Sequence, residues 1–149
     1  MIEPALLADL PLFRGLPAWA LAELAAAAEE RQLPAGTVLL RQYDLARAVH
    51  VLVSGSVQIL IRVGGGDLLV ASLRDPGEPI GWSAFRPPYR YTSTARCERD
   101  CRLVRLPAAA FDELFARDPA LAHRVLARVA ASLANRLERA RELLHAPAG

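Results

Sequence analysis

The stretch "VHVLVSGSVQILIRV", Val49 to Val63, consists of two β-branched-rich runs separated by Ser54-Gly55. Each run has the length of a strand, and the Ser-Gly pair supplies the residues a reversing chain needs. Similar runs lie on either side: "TVLL" (37–40), "DLLVASL" (67–73) and "TARCERDCRLVRL" (94–106). Gly64-Gly65-Gly66 stands where a hairpin tip would fall. Short strands at roughly ten-residue spacing predict a β-sandwich or jelly roll over about 36–106.

The periodicity is different at both ends. "LPAWALAELAAAAEERQL" follows Gly15, with Pro17 at a favoured first-turn position and strong helix formers after it. Leu16, Leu21 and Leu24 share one face, and Pro34 and Gly36 turn the chain, so an N-terminal helical part is predicted over about 4–33. After Pro107, "AAAFDELFARDP" reads as a short helix stopped near Asp118-Pro119. The next 26 residues, "ALAHRVLARVAASLANRLERARELLH", contain no Gly or Pro. Their apolar positions Leu126, Val129, Leu133, Leu137, Ala140 and Leu144 recur at spacings of three and four, close to a heptad seam. Arg124, Arg128, Arg136, Glu138, Arg139 and Glu142 are expected on the opposite face. The C-terminal helices are predicted over about 108–145.

Taken together, this is an α+β, mainly β chain: a jelly-roll β-barrel flanked by an N-terminal helix and a long C-terminal helix. At 149 residues it is expected to form one domain, 1–149, with a substantial core. An apolar share of 53% excludes a disordered chain. All 18 basic residues are arginine, but a net charge of +2 without a basic block gives no support for a nucleic-acid partner. No apolar run reaches the ~18–20 residues that would cross a bilayer, so no membrane partner is expected. "MIEPALLADLPLF" carries Glu3 and Asp9 and lacks the basic region of a secretory signal, which points to a cytoplasmic protein with reduced thiols. Cys97 and Cys101 are expected on one strand, about 13 Å apart, too far for a disulfide, and read as core thiols.

In this order, several motifs resemble the cyclic-nucleotide-binding domain of catabolite-activator-like regulators and kinase regulatory subunits. They are "PLFRGLP", "LPAGTVLLRQYD", "VHVLVSGSVQIL", "LRDPGEPIGWSAF" and "TSTARCERDCRLVRLPAAAF", followed by the long helix; the match spans roughly residues 10–144. The resemblance implies a jelly roll flanked by helices that holds a cyclic nucleotide. The family usually joins this module to a helix-turn-helix, a kinase or a channel. After Gly149 no room remains for a winged helix, so a stand-alone sensor or adaptor without a DNA-binding domain is expected.

The family's phosphate-binding cassette follows the pattern Gly-Glu-small-Ala-Leu, then, several residues on, Arg-Ala-Ala/Ser/Thr-Thr. Its glutamate accepts the ribose 2′-hydroxyl, and its arginine neutralises the cyclic phosphate beside backbone N–H groups at a short helix N-terminus. Against that pattern, "GWSAFRPPYRYTST" keeps Gly81, Ala84 and Thr94. Trp82 stands at the glutamate position and donates only. Tyr91 stands at the arginine position, and the nearest arginine, Arg90, is one residue early. Tyr43 stands where the family tends to place glycine, thickening one wall. Losing both anchors costs roughly 3–5 kcal/mol, or two to three decades in affinity and more.

The candidate ligand site is therefore Gly81, Trp82, Ser83, Ala84, Arg90, Tyr91, Thr92 and Ser93. Two outcomes stand beside retained nucleotide binding. Trp82, Phe85, Tyr89 and Tyr91 could form a rebuilt pocket that stacks on a base with Arg90, Thr92 and Ser93 at an anion, or they could simply fill the vacated cavity. No cofactor is expected beyond a possible cyclic nucleotide. His50, His123 and His145 lie too far apart in the chain to suggest a cupin-type metal site, Asp44 reads as a turn residue, and no catalytic constellation is legible. The last helix either packs along its own barrel or forms a parallel homodimer seam, as in the resembled regulators, with Asn135 a candidate for fixing register. The function expected is a non-enzymatic regulatory module with an altered or lost nucleotide site, working with an unidentified protein partner. The alternatives are a functional sensor of a cyclic nucleotide or another small anion, and a structural dimerisation domain.

Overall fold

The computed structural model describes residues 1–145. Two short helical segments, α1 (Pro4–Ala8) and α2 (Ala18–Ala27), precede the strands. These are β1 (Glu29–Leu33), β2 (Val38–Leu40), β3 (Ala48–Ser54), β4 (Val57–Val63), β5 (Gly66–Leu73), β6 (Pro79–Ile80), β7 (Thr94–Cys97) and β8 (Cys101–Pro107). Helices α3 (Ala108–Arg117) and α4 (Pro119–His145) close the described chain. The strands form two four-stranded antiparallel sheets, ordered β1-β8-β3-β6 and β2-β7-β4-β5. This is the jelly-roll architecture with flanking helices that the sequence pattern predicts.

Ser54-Gly55 does more than reverse the chain: it carries it from β3 in one sheet to β4 in the other. Gly55 adopts φ +105°, and a Cβ there would lie 2.5 Å from the Asp100 carbonyl oxygen. Asp100 belongs to the second crossing, 98–100, which links β7 to β8. The two crossings are bound together, since the Glu98 N–H donates to the Ser56 carbonyl at 2.8 Å and the Ser56 hydroxyl donates to Glu98 Oε2 at 2.6 Å. The run 94–106 is therefore two strands in different sheets, not one.

That split corrects the cysteine geometry. Cys97 ends β7 and Cys101 opens β8, so the two buried, free thiols lie on different strands at either end of the crossing instead of along one strand, and the Cys101 thiol donates to the Ser56 carbonyl at 3.2 Å. Burial, reinforced by Cys101, raises the Cys97 thiol pKa well above its usual value.

The first helical part is shorter than predicted. It stops at Ala27, and "EERQL" pairs as β1 with β8 from Glu29↔Arg105 to Leu33↔Cys101. Strong helix formers yield here because Ala28 packs into the core and β8 offers an unpaired edge. Charges suit an edge strand, and Glu30 joins Arg102 across the pair.

From Ala48 to Leu52, β3 is buried without alternation, so both its faces are covered. His50 lies in this run, and both its ring nitrogens are buried without a hydrogen-bond partner. Burial, with Arg105 and Arg31 nearby, lowers its pKa from 6.5 to about 3. The unfolded chain therefore takes up a proton that the folded chain refuses between about pH 6.5 and about pH 3. Stability from this group is complete above the upper value and falls as the pH drops through the window, by up to ~1.4 kcal/mol per pH unit. Urea unfolding across that window should show His50→Leu losing less stability than the native chain; equal losses would contradict the assignment.

Candidate functional site

The residues that the sequence singles out lie on a 3₁₀ turn and the loop after it. β6 delivers the chain to Gly81, whose φ of +91° opens the turn Trp82–Phe85. A Cβ on Gly81 would meet Tyr91 Cε1 at 3.0 Å and the Ala48 carbonyl oxygen at 3.1 Å, so the positive φ calls for glycine and the neighbours leave little room for a side chain. The turn is closed by the Ala84 N–H donating to the Gly81 carbonyl at 3.1 Å, with Ser83 and Ala84 buried. Phe85 leaves the loop to pack edge-on to Phe111 of α3, with centroids 5.1 Å apart, and beside Phe115. It is half-buried and packs its ring against the core.

Tyr91 turns inward. Its hydroxyl donates to the Ala48 carbonyl at 2.8 Å, and its ring lies against Gly81. Burial raises the hydroxyl pKa above its ordinary value, and the bond to Ala48 opposes that shift. The backbone of 89–91 is zipped to 43–46: the Tyr91 N–H donates to Asp44, the Tyr43 N–H to Tyr91 and the Ala46 N–H to Tyr89, at 3.0, 2.8 and 2.7 Å. The zipper sends Arg90 outward, where its Nη1 donates to the Tyr43 carbonyl at 3.0 Å.

Of the eight candidates, Gly81, Ser83, Ala84 and Tyr91 converge. Trp82 is half-buried with the Arg86 guanidinium 5.9 Å over its ring, Ser93 is half-buried, and Arg90 and Thr92 are exposed. Tyr89 is also exposed. The expectation that Tyr43 thickens a pocket wall is overturned: its φ is +76° and its side chain points to solvent. The left-handed backbone explains why glycine suits that position. Thr94 caps the adjoining loop, its hydroxyl accepting the Gln42 N–H at 3.0 Å.

The sequence reading missed a second cluster. Arg136 and Arg139, expected on a solvated face of α4, reach back into the body. Arg139 Nη2 donates to Glu78 Oε1 at 2.9 Å, and the Arg136 guanidinium stands 3.9 Å from that oxygen while donating to the Pro79 carbonyl. Arg124 and Arg128 likewise donate to the Gly15 and Leu12 carbonyls, each at 3.0 Å. Burial works against the charge of Arg136, and Glu78 favours it. The "PGE" turn carried the only signal for Glu78. For the arginines, nothing in the sequence distinguishes a clamp from a solvated face.

The predicted seam changes accordingly. Val129 is buried in the core with Leu121 and Val125, and Leu133 and Ala140 are half-buried. The exposed apolar stripe instead runs through Leu126, Ala130, Leu137 and Leu144, the last two 59% and 83% exposed. The histidines sit apart, His50 in β3 and His123 and His145 on α4 about 33 Å from one another at 1.5 Å per residue. Among the described residues no helix is long and apolar enough to cross a membrane.

With this geometry established, similarity to known proteins gives the family. The profile described as "Cyclic nucleotide-binding domain" matches residues 30–118. The cyclic AMP receptor protein of Thermus thermophilus is 32% identical over 131 residues, 87% of this chain and 58% of its own length. The chain thus spans less than two thirds of that relative. A solved protein of Geobacter metallireducens named for cyclic nucleotide binding superposes with a TM-score of 0.80 at 29% identity, covering 92% of this chain and 99% of that one. The sensor domain of the transcriptional regulator DNR from Pseudomonas aeruginosa gives 0.74 at 25% identity, with 90% of each chain covered.

Two substitutions test the packing at the turn. Gly81→Ala should cost ~1–3 kcal/mol through left-handed strain and the clash with Tyr91, and Tyr91→Phe should cost ~1 kcal/mol through the orphaned Ala48 carbonyl. Denaturant midpoints give both; a neutral Gly81→Ala would contradict the geometry.

Proposed function

This chain belongs to the cyclic nucleotide-binding domain family, and we propose that it is a non-enzymatic cytoplasmic regulatory module whose nucleotide site has been replaced by protein. One observation carries this reading: Tyr91, at the position where the family resemblance expects the phosphate-binding arginine, is buried and hydrogen-bonded inside the roll. Its ring and Gly81 occupy the space beside the turn, and the neighbouring Arg90 is held outside by the Tyr43 carbonyl. Trp82, at the glutamate position, offers an indole N–H and no acceptor for a ribose hydroxyl. A cyclic phosphate entering here would have to displace the Tyr91 bond and find no cation in return.

The module acts through a partner, and the route runs along α4. Glu78 and Pro79, just before the turn, are held by Arg139 and Arg136, so a shift at residues 77–94 moves the helix. Two copies pair along the exposed stripe Leu126, Ala130, Leu137 and Leu144, burying leucines that otherwise face water.

Thermal unfolding with cyclic AMP and cyclic GMP at millimolar concentration tests the first claim. No shift is expected for the native chain. A ligand at 100 times its dissociation constant would add about 2.7 kcal/mol, several degrees for a domain of this size, and such a shift would overturn the reading. Sedimentation tests the second. The native chain should run as a dimer and Leu137→Glu as a folded monomer with a native circular-dichroism spectrum; a native monomer at high micromolar concentration would remove the dimer.

A further inference from the structure

We propose that the slot between β5 and the C-terminal half of α4 binds a small amphipathic carboxylate, an inference that rests on reading the module as a sensor whose nucleotide site has been replaced. The slot exists because the roll is not closed. β5 is the edge strand of its sheet and pairs only with β4, while the other sheet ends on the two-residue β6. α4 lies across this open seam. The leucines of its last turns do not fill the seam: Leu143 is 77% exposed. A cavity of about 450 Å³ remains between helix and strand, within the range that holds a small organic ligand.

The chemistry of its walls is mixed in a particular way. Leu69, Ala71 and Leu73 from β5 and Ala140 and Leu143 from α4 make an apolar floor. Arg74, Arg136 and Arg139 also line the slot, and no carboxylate does. Glu78 and Asp75, which hold Arg139, line the separate cleft on the other flank of the helix. Arg74 approaches Glu98 only at 4.0 Å, with its own side chain 64% exposed, so that pairing is weak and exchangeable. A guanidinium carries five donors in a planar fork, and Arg74 makes no hydrogen bond among the described residues, which leaves a fork free to take a carboxylate in two parallel bonds. The outward edge of β5 adds peptide groups with no strand partner.

Charge complementarity thus selects an anion, and the apolar floor selects one with a hydrocarbon body. A nucleotide fits worse, since its sugar and phosphate would lie on leucine and alanine. The position gives the ligand a consequence. A carboxylate on Arg74 and Arg139 bears on the same arginine that clamps Glu78, and a hydrocarbon body against Ala140 and Leu143 pins the half of α4 that its own leucines leave loose.

The test is thermal unfolding of the full chain with sodium octanoate at millimolar concentration, beside octanol and cyclic AMP. Octanoate should raise the melting temperature by several degrees and octanol should not. Arg74→Gln, a change at an exposed side chain, should weaken octanoate at least about ten-fold, the loss of one charge-assisted contact. Ala140→Trp, which fills the slot, should abolish the shift. No shift with octanoate, an equal shift with octanol, or an octanoate shift unaltered by both substitutions would overturn the proposal. A shift with cyclic AMP would instead overturn the replaced nucleotide site, and octanoate would still decide the slot.

Discussion

Tyr91 joins the two sheets from inside the roll. Its hydroxyl bonds the carbonyl of Ala48, the first residue of β3 in one sheet, while its chain runs within three residues into β7 of the other. Its ring packs against Gly81, the residue that opens the buried turn. The zipper between 43–46 and 89–91 follows from the same placement, because a tyrosine pointing inward at 91 forces Arg90 outward. A buried, satisfied hydroxyl at Tyr91 serves the fold and is costly to undo.

The long helix is held in two ways. Up to Val129 it is anchored by apolar burial, with Leu121, Val125 and Val129 in the core beside Phe111 and Leu114. Beyond Leu133 the anchors are arginines meeting carbonyls and Glu78, while Leu137, Leu143 and Leu144 face outward. Apolar burial does not depend on neighbouring charges, whereas the half-exposed Arg139 pair does and is weakened by screening. The second half is thus the part of α4 with the fewest buried apolar anchors. It is also the part next to the turn at Gly81.

The fold was legible because the strand runs and their glycine breaks are local signals. The Ser54-Gly55 break, the Gly64–Gly66 tip and the stop at Asp118-Pro119 all fall where the structure turns. Two local readings failed where distant partners decide. "EERQL" continues a helix by propensity and becomes β1 because β8 offers an edge, and 94–106 reads as one run although its middle crosses between sheets. The candidate site was half legible. Spacing and motif singled out Gly81, Trp82 and Tyr91, but which way Tyr91 and Arg90 point depends on hydrogen bonds to residues more than forty positions away. The arginine clamp was invisible for the same reason, since a charged residue three or four from the next describes a solvated face and a docked one equally well.

Tyrosine-labelled carbon NMR during addition of cyclic AMP shows whether the Tyr91 ring keeps its place beside Gly81. Of the chain's three tyrosines, Tyr91 alone is buried against the nucleotide-site turn. Its ring signals are expected to stay unmoved at millimolar nucleotide, with the slow ring rotation of a packed side chain. Saturable movement of those signals would mean that the ring yields its place to a phosphate, and the site would be a nucleotide site after all.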